Sequence, residues 1–247
     1  MNYKVFNYNT LLISTILTAL IISCKSGKRK ESESAQRMKT EIKEKIPGVC
    51  IWDGIAIREE PTKNSPVFST LSLGESFLYL KEDAIDSVYK NQKYLNIELS
   101  DGSVGWAAGF GLVLNAKTGV IKAKVPVYKR PDLLTISDQE YSPMDIIAIT
   151  EEVDDWFKVT GEKKKLEGWI RMSYISMNEE DIAFALMAKR ELAAKDDKSL
   201  SDKIQNILDN NPYPNSIFVE TLRQIALEEE NKKKLNQIMM EQSSFDN

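Results

Sequence analysis

Three acidic pairs, Glu59-Glu60, Glu151-Glu152 and Asp154-Asp155, are the residues through which this chain could do hydrolytic chemistry, because its 247 residues include no histidine. Without histidine a Ser-His-Asp or Cys-His arrangement cannot be built, nor can a His-ligated zinc site. Two carboxylates alone can cleave a glycoside when they flank one bond. Here, however, each pair is adjacent in sequence, and neighbours on a strand point to opposite faces. The pairs therefore read as solvated turn charges. No Gly-rich phosphate loop, dinucleotide fingerprint or calcium loop occurs. The expectation is a protein with no catalytic, metal or cofactor site.

The remaining chemistry-bearing residues are two cysteines and a set of large aromatics. Cys50 lies in Val49-Cys50-Ile51-Trp52 and reads as a small buried hydrophobe. Cys24 closes an N-terminal leader in which Lys4 precedes an apolar run from Leu11 to Ile22. That run is shorter than the roughly 20 apolar residues a spanning helix needs, and suits the core of an export signal. Tyr94, Trp106, Trp156, Phe157 and Trp169 are the candidate ligand groove, since aromatic faces with polar edges suit recognition. The alternative for Trp106 and Trp169 is a place in the core.

The leader resembles that of bacterial lipoproteins, on the motif Ile21-Ile22-Ser23-Cys24. The resemblance implies a signal peptide over 1–23, acylation of Cys24, and a mature protein held to a membrane by its N-terminal lipid. Acyl chains contribute about 0.8 kcal/mol per buried methylene, so such an anchor is durable. Residues 24–46 are rich in Lys, Glu and Ser and read as a disordered tether, with Lys25, Lys28, Arg29 and Lys30 beside the headgroups. The formal net charge of −4 gives no reason to expect nucleic acid. The location implied is the cell envelope, with inner or outer membrane left open.

From Pro47 to Met177 lie all four tryptophans and most of the glycines, and short Val/Ile/Tyr/Phe runs alternate with turn residues, a β signature. Expected strands include Ile55–Arg58, Ser76–Leu80, Lys93–Ile97 and Gly105–Ala107, then Val125–Tyr128, Asp145–Ile149, Trp156–Val159 and Gly168–Ile170. The order repeats, with Tyr94 to Trp106 matching Trp156 to Trp169, so the segment reads as a tandem repeat. Each unit, over 47–116 and 117–177, resembles a bacterial SH3-like (SH3b) domain. The first unit carries the resemblance in Ile57-Arg58-Glu59-Glu60-Pro61, Leu73-Gly74-Glu75, Tyr94-Leu95-Asn96-Ile97 and Gly105-Trp106. In the second it rests on Tyr128-Lys129-Arg130-Pro131, Trp156-Phe157-Lys158-Val159 and Gly168-Trp169-Ile170, with Ser142-Pro143-Met144-Asp145 in place of the Leu-Gly turn. The first unit also has an insertion near 83–91. The resemblance implies small barrels that recognise peptide-like ligands, peptidoglycan or an envelope protein, without catalysis. Residues 116–124 are expected to be a connection too short for free rotation.

Beyond Met177 there is no glycine. Asn178 and Ser199-Leu200-Ser201-Asp202 are helix-start signals, Asn210-Asn211-Pro212 a stop, and Phe218, Leu222 and Ile225 the apolar face of a third helix. Its continuation sets Glu228, Glu229 and Glu230 four residues before Lys232, Lys233 and Lys234. The fold expected is mainly β followed by α: two small SH3-like barrels in tandem, then a helical region over 178–247. That region either caps the second barrel or binds a partner, which leaves an assembly lipoprotein as the alternative function.

Overall fold

The structure is a computed structural model and describes residues 44–245. Cys24, the leader and most of the tether lie outside the described residues. The first sheet is built from β1 (Ile46–Cys50), β2 (Ile55–Arg58), β3 (Val67–Leu71), β4 (Ser76–Asp86), β5 (Gln92–Glu98), β6 (Val104–Ala108) and β7 (Leu112–Leu114). The second is built from β8 (Lys117–Ile121), β9 (Val125–Tyr128), β10 (Ile136–Tyr141), β11 (Ile146–Val153), β12 (Trp156–Gly161), β13 (Glu167–Arg171) and β14 (Ile175–Ser176). Three helices follow, α1 (Glu179–Ala193), α2 (Leu200–Asp209) and α3 (Phe218–Phe245). No helix among the described residues is long and apolar enough to cross a membrane.

Both sheets are antiparallel and share one topology, β3-β2-β6-β5-β4-β1-β7 and β10-β9-β13-β12-β11-β8-β14. Each is open: no pairing joins β3 to β7 or β10 to β14. This corrects the expectation of closed barrels. The strands β7 and β14 are only three and two residues long, so they leave few backbone groups unpaired at that edge, and closure is not needed to protect it.

Alternation along the strands builds a separate core for each sheet. Ile55, Ile57, Leu71, Phe77, Leu95, Ile97 and Ala107 fill the first; Val125, Val127, Tyr141, Ile147, Val159 and Ile170 fill the second. Gly105 and Gly168 are required where they stand, because a Cβ on either would meet Ile57 or Val127 within 2.7 Å. Residues 117–121, expected as a connection, are instead strand β8. The units are therefore joined almost without a linker.

The seam between the sheets is packed. Val49 and Ile51 from β1 and the loop after it, Ala116, and Ala148 from β11 form one buried cluster. The Lys163 N–H donates to the Ile51 carbonyl at 2.8 Å, and the Thr118 hydroxyl donates to the Gly74 carbonyl at 2.8 Å. Gly74 sits at φ +79°, and a Cβ there would come 3.2 Å from Ile146. Beside it, Leu73 inserts into the helical core with Val120, Ile146, Phe184 and Ala185. In the second sheet Met144 takes the corresponding turn at φ 68°, so the same backbone geometry forms without glycine.

The helices begin where the chain signals. The Asn178 side chain accepts from the Glu180 and Asp181 N–H groups, and Ser199 with Asp202 forms a reciprocal capping box. Lys203, almost wholly buried, donates to the Ala194 carbonyl at the end of α1. Phe184, Ala188, Ile204, Ile207, Phe218 and Leu222 form a core that the second sheet completes through Val120 and Ile146. Asp181 ties the assembly together: its carboxylate accepts from the Ser176 hydroxyl at 2.6 Å and from the Ile217 N–H at 3.0 Å. The helical region is thus a cap on the second sheet, except for the far end of α3.

Candidate functional site

Strand register sets the positions of the candidate aromatics. Tyr94 faces Ala108 across β5 and β6, and Asn96 faces Trp106; in the second sheet Trp156 faces Arg171 and Lys158 faces Trp169. Tyr94 and Trp156 are therefore equivalent, as are Trp106 and Trp169. Both members of the second pair are half-buried and lie outside the core clusters, on the outer faces of their sheets. Phe157 points the other way, packing against the second core with Val159. It cannot share a groove with its neighbour Trp156, since adjacent strand residues face opposite sides.

The five candidates do not meet. They divide between two sheets, and Tyr94 lines an open recess. That recess, of about 230 Å³, is bounded by Trp52, Phe110, Tyr94, Tyr89, Arg58 and Lys63. Trp52 and Phe110 form its apolar wall, edge to face with centroids 5.0 Å apart. Phe110 stays 45% exposed at the rim of the recess. Opposite, the Lys63 ammonium sits 3.8 Å from the centroid of the Tyr89 ring, and Arg58 donates to the Ser65 carbonyl at 2.7 Å. The Tyr89 hydroxyl is shifted below its ordinary pKa by a hydrogen bond from Lys63, then by the charges of Lys63 and Lys90.

The rim is held by Asp86, at the end of the long strand β4. Its carboxylate accepts from the backbone N–H groups of Lys63, Val88 and Tyr89 at 3.0, 3.1 and 3.0 Å. These bonds join the β2–β3 loop to the β4–β5 hairpin. The Lys63 N–H is the main cause holding the Asp86 carboxyl below its ordinary value. The insertion near 83–91 thus builds one side of the recess. Trp52, Phe110, Tyr89 and Asp86 were not singled out from sequence. The signal available for them was the repeat itself, which puts alanine at 108 where the second unit has arginine at 171.

In the second sheet the equivalent place is filled from within. Arg171 lies 4.4 Å over the ring of Trp156, Tyr128 meets that ring edge to face at 4.9 Å, and Arg171 also pairs with Asp155. Trp156 is left 4% exposed, as is Tyr94 in the first sheet, so the two places differ in the recess beside the ring and not in the ring's own burial. The remaining acidic pairs lie apart: Glu151 pairs with Lys158 at 2.7 Å, while Glu59 and Glu60 sit in the exposed turn after β2. Among the described residues no group of three or more Cys, Asp or Glu side chains is placed to hold a metal. Cys50 is buried; its thiol donates to the Trp52 carbonyl at 2.9 Å, and burial pushes its pKa up to about 11.

No protein-family model matches the chain, and no curated protein matches it. Among solved structures the chain aligns with NlpC2 and NlpC1 from Trichomonas vaginalis, at 12% and 10% identity and a TM-score of 0.24 in each case. The alignments cover 68% and 67% of this chain and 56% and 52% of those proteins, so it spans little more than half of their length. A likeness this distant assigns neither fold nor activity.

Proposed function

We propose that the chain is a lipid-anchored, non-catalytic binding protein of the cell envelope, held at Cys24, whose recess on the first sheet takes peptide-like segments of peptidoglycan. Each sheet is read as an SH3-like unit of the bacterial kind. Support for that reading comes from the repeated order of Pro turn, aromatic strand and Gly-Trp strand, and from the matching register of Tyr94 with Ala108 and Trp156 with Arg171.

One observation carries the functional reading: an open recess walled by Trp52 and Phe110, with Arg58 and Lys63 beside it. Apolar faces next to cations suit a short peptide bearing a carboxylate. The second sheet, its aromatic site covered by Arg171, acts in this account as a rigid support. The test is retention of the whole protein on purified wall material. Phe110→Ser and Lys63→Glu each replace an exposed side chain of the recess and are expected to cut retention at least tenfold, with melting lowered by no more than about 4 °C through loss of one aromatic contact each. Retention equal to the parent in both variants would remove the recess from the account.

A second reading, an assembly lipoprotein acting through its C-terminal helices, is favoured by the exposed apolar residues at the far end of α3, Leu227, Leu235, Ile238 and Met239.

A further inference from the structure

Helix α3 is 28 residues long, but the helical core uses only its first part, through Phe218, Val219 and Leu222 with Ile225 and Ala226 packed beside them. At about 100° per residue, Leu227, Asn231, Leu235 and Ile238 fall within an arc of about 80°, roughly half a turn from that core-facing side. All four are exposed, Leu227, Leu235 and Ile238 at 52%, 58% and 51%. Lys233 belongs to the other side: it is one of the charges that hold the Asp202 carboxyl of α2 low, after the Ser199 hydrogen bonds.

The charges flanking this apolar stripe are antisymmetric about Asn231. Glu228 and Glu230 precede it, Lys232 and Lys234 follow it, and all four are exposed. Two identical helices laid antiparallel about a two-fold axis bring each flank against the same flank of the other copy. One flank carries Glu230 and Lys234, the other Glu228 and Lys232, so each flank brings two Glu–Lys pairs within a two-residue axial stagger against one like pair at the same stagger, Glu230 with Glu230 or Lys232 with Lys232. In that arrangement Leu227 opposes Leu235 and Asn231 meets itself. A parallel in-register pairing reverses the balance, setting Glu230 near Glu228 and Lys234 near Lys232 against a single Glu230–Lys232 pair on each flank.

We infer that the free end of α3 is a self-association surface, and that two copies of this chain pair through it as antiparallel helices centred on Asn231. The occupant is a second copy because Leu227, Leu235 and the flanking charges complement the same helix reversed, with Ile238 level with Gln224 at the margin. A polar Asn at the centre of an apolar seam fixes register at some cost in affinity. The contact is small and charge-flanked, so it is reversible and weakens as salt rises. Under the anchorage proposed at Cys24, on which this gain rests, two copies on one membrane gain effective concentration for the contact.

The test uses the full chain in membranes. Asn231→Cys places a thiol on the two-fold axis, and mild oxidation is expected to yield disulfide-linked dimer at least tenfold faster than the full chain carrying Asp138→Cys, an exposed position on the second sheet. Added to Asn231→Cys, the pair Glu228→Lys and Glu230→Lys is expected to abolish the cross-link. Lys232→Glu with Lys234→Glu should do the same. Co-expressing the two charge variants with different tags restores a mixed dimer, a rescue that a folding defect would not permit. Cross-linking no faster than at position 138, indifference to the charge reversals, failure of the mixture to rescue, or capture of a different protein by the thiol would each overturn the inference.

Discussion

Arg171 lies 4.4 Å over the ring of Trp156, and the strand register that opposes them pairs Tyr94 with Ala108 in the first sheet. The repeats thus differ at this place: the second covers its aromatic with Arg171, while the first has Ala108 there and builds a recess from Trp52, Phe110, Tyr89 and Arg58. Arg171→Ala should uncover Trp156. Loss of a partly exposed cation over an aromatic costs about 1 kcal/mol, a fall of about 2–4 °C in melting temperature for a chain of this size. Calorimetry checks the stability, and a rise in tryptophan quenching by iodide checks the exposure.

Asp86 predicts an acid-sensitive rim. Its folded pKa is lowered, so the stabilisation it gives the β2–β3 loop and the β4–β5 hairpin is present above the ordinary carboxylate value of about 3.9 and is lost as pH falls through the folded one. Asp86→Ala removes the acceptor at all pH values. Protection of the Lys63, Val88 and Tyr89 amides, taken relative to their intrinsic exchange at each pH, should fall in the variant at neutral pH and in the parent only in acid. Core amides such as Ile97 should keep their protection in both.

Cys50 predicts the opposite limb. A thiol whose pKa is raised by burial from 9.0 to about 11 leaves the folded state intact below pH 9 and costs stability as pH climbs from 9 through 11. A two-unit shift corresponds to about 3 kcal/mol across that window. Cys50→Ala should flatten the alkaline side of the stability profile while creating a small cavity. In the native parent at pH 8 a thiol reagent should leave Cys50 unmodified and should label it on unfolding.

Much of the β architecture was legible because its strands alternate. Val125–Tyr128 and Ile55–Arg58 occur with the expected bounds, and the caps at Asn178 and Ser199 form as their side chains suggest. Strands β1 and β8 were hidden, the first by Pro47 and Gly48 and the second by its position between two repeats. The turn at Met144 was obscure because a left-handed backbone at a non-glycine residue depends on tertiary packing, here against the helical core. The site was the least legible part. Trp156 and Phe157 look like a pair in sequence, yet the pleat sends them to opposite faces. The recess depends on a small residue, Ala108, and on long-range bonds to Asp86, neither of which leaves a local pattern.

The proposed binding site is the recess on the first sheet, which Ala108 helps to line. Ala108→Arg should lay a guanidinium over Tyr94, as Arg171 does over Trp156, and close it from within. The direct measurement is cosedimentation of the whole protein with purified peptidoglycan. The parent is expected to pellet, and Ala108→Arg to stay at least tenfold more in solution while melting at or above the parent temperature. Equal pelleting of the two proteins, or no pelleting of the parent, would contradict it.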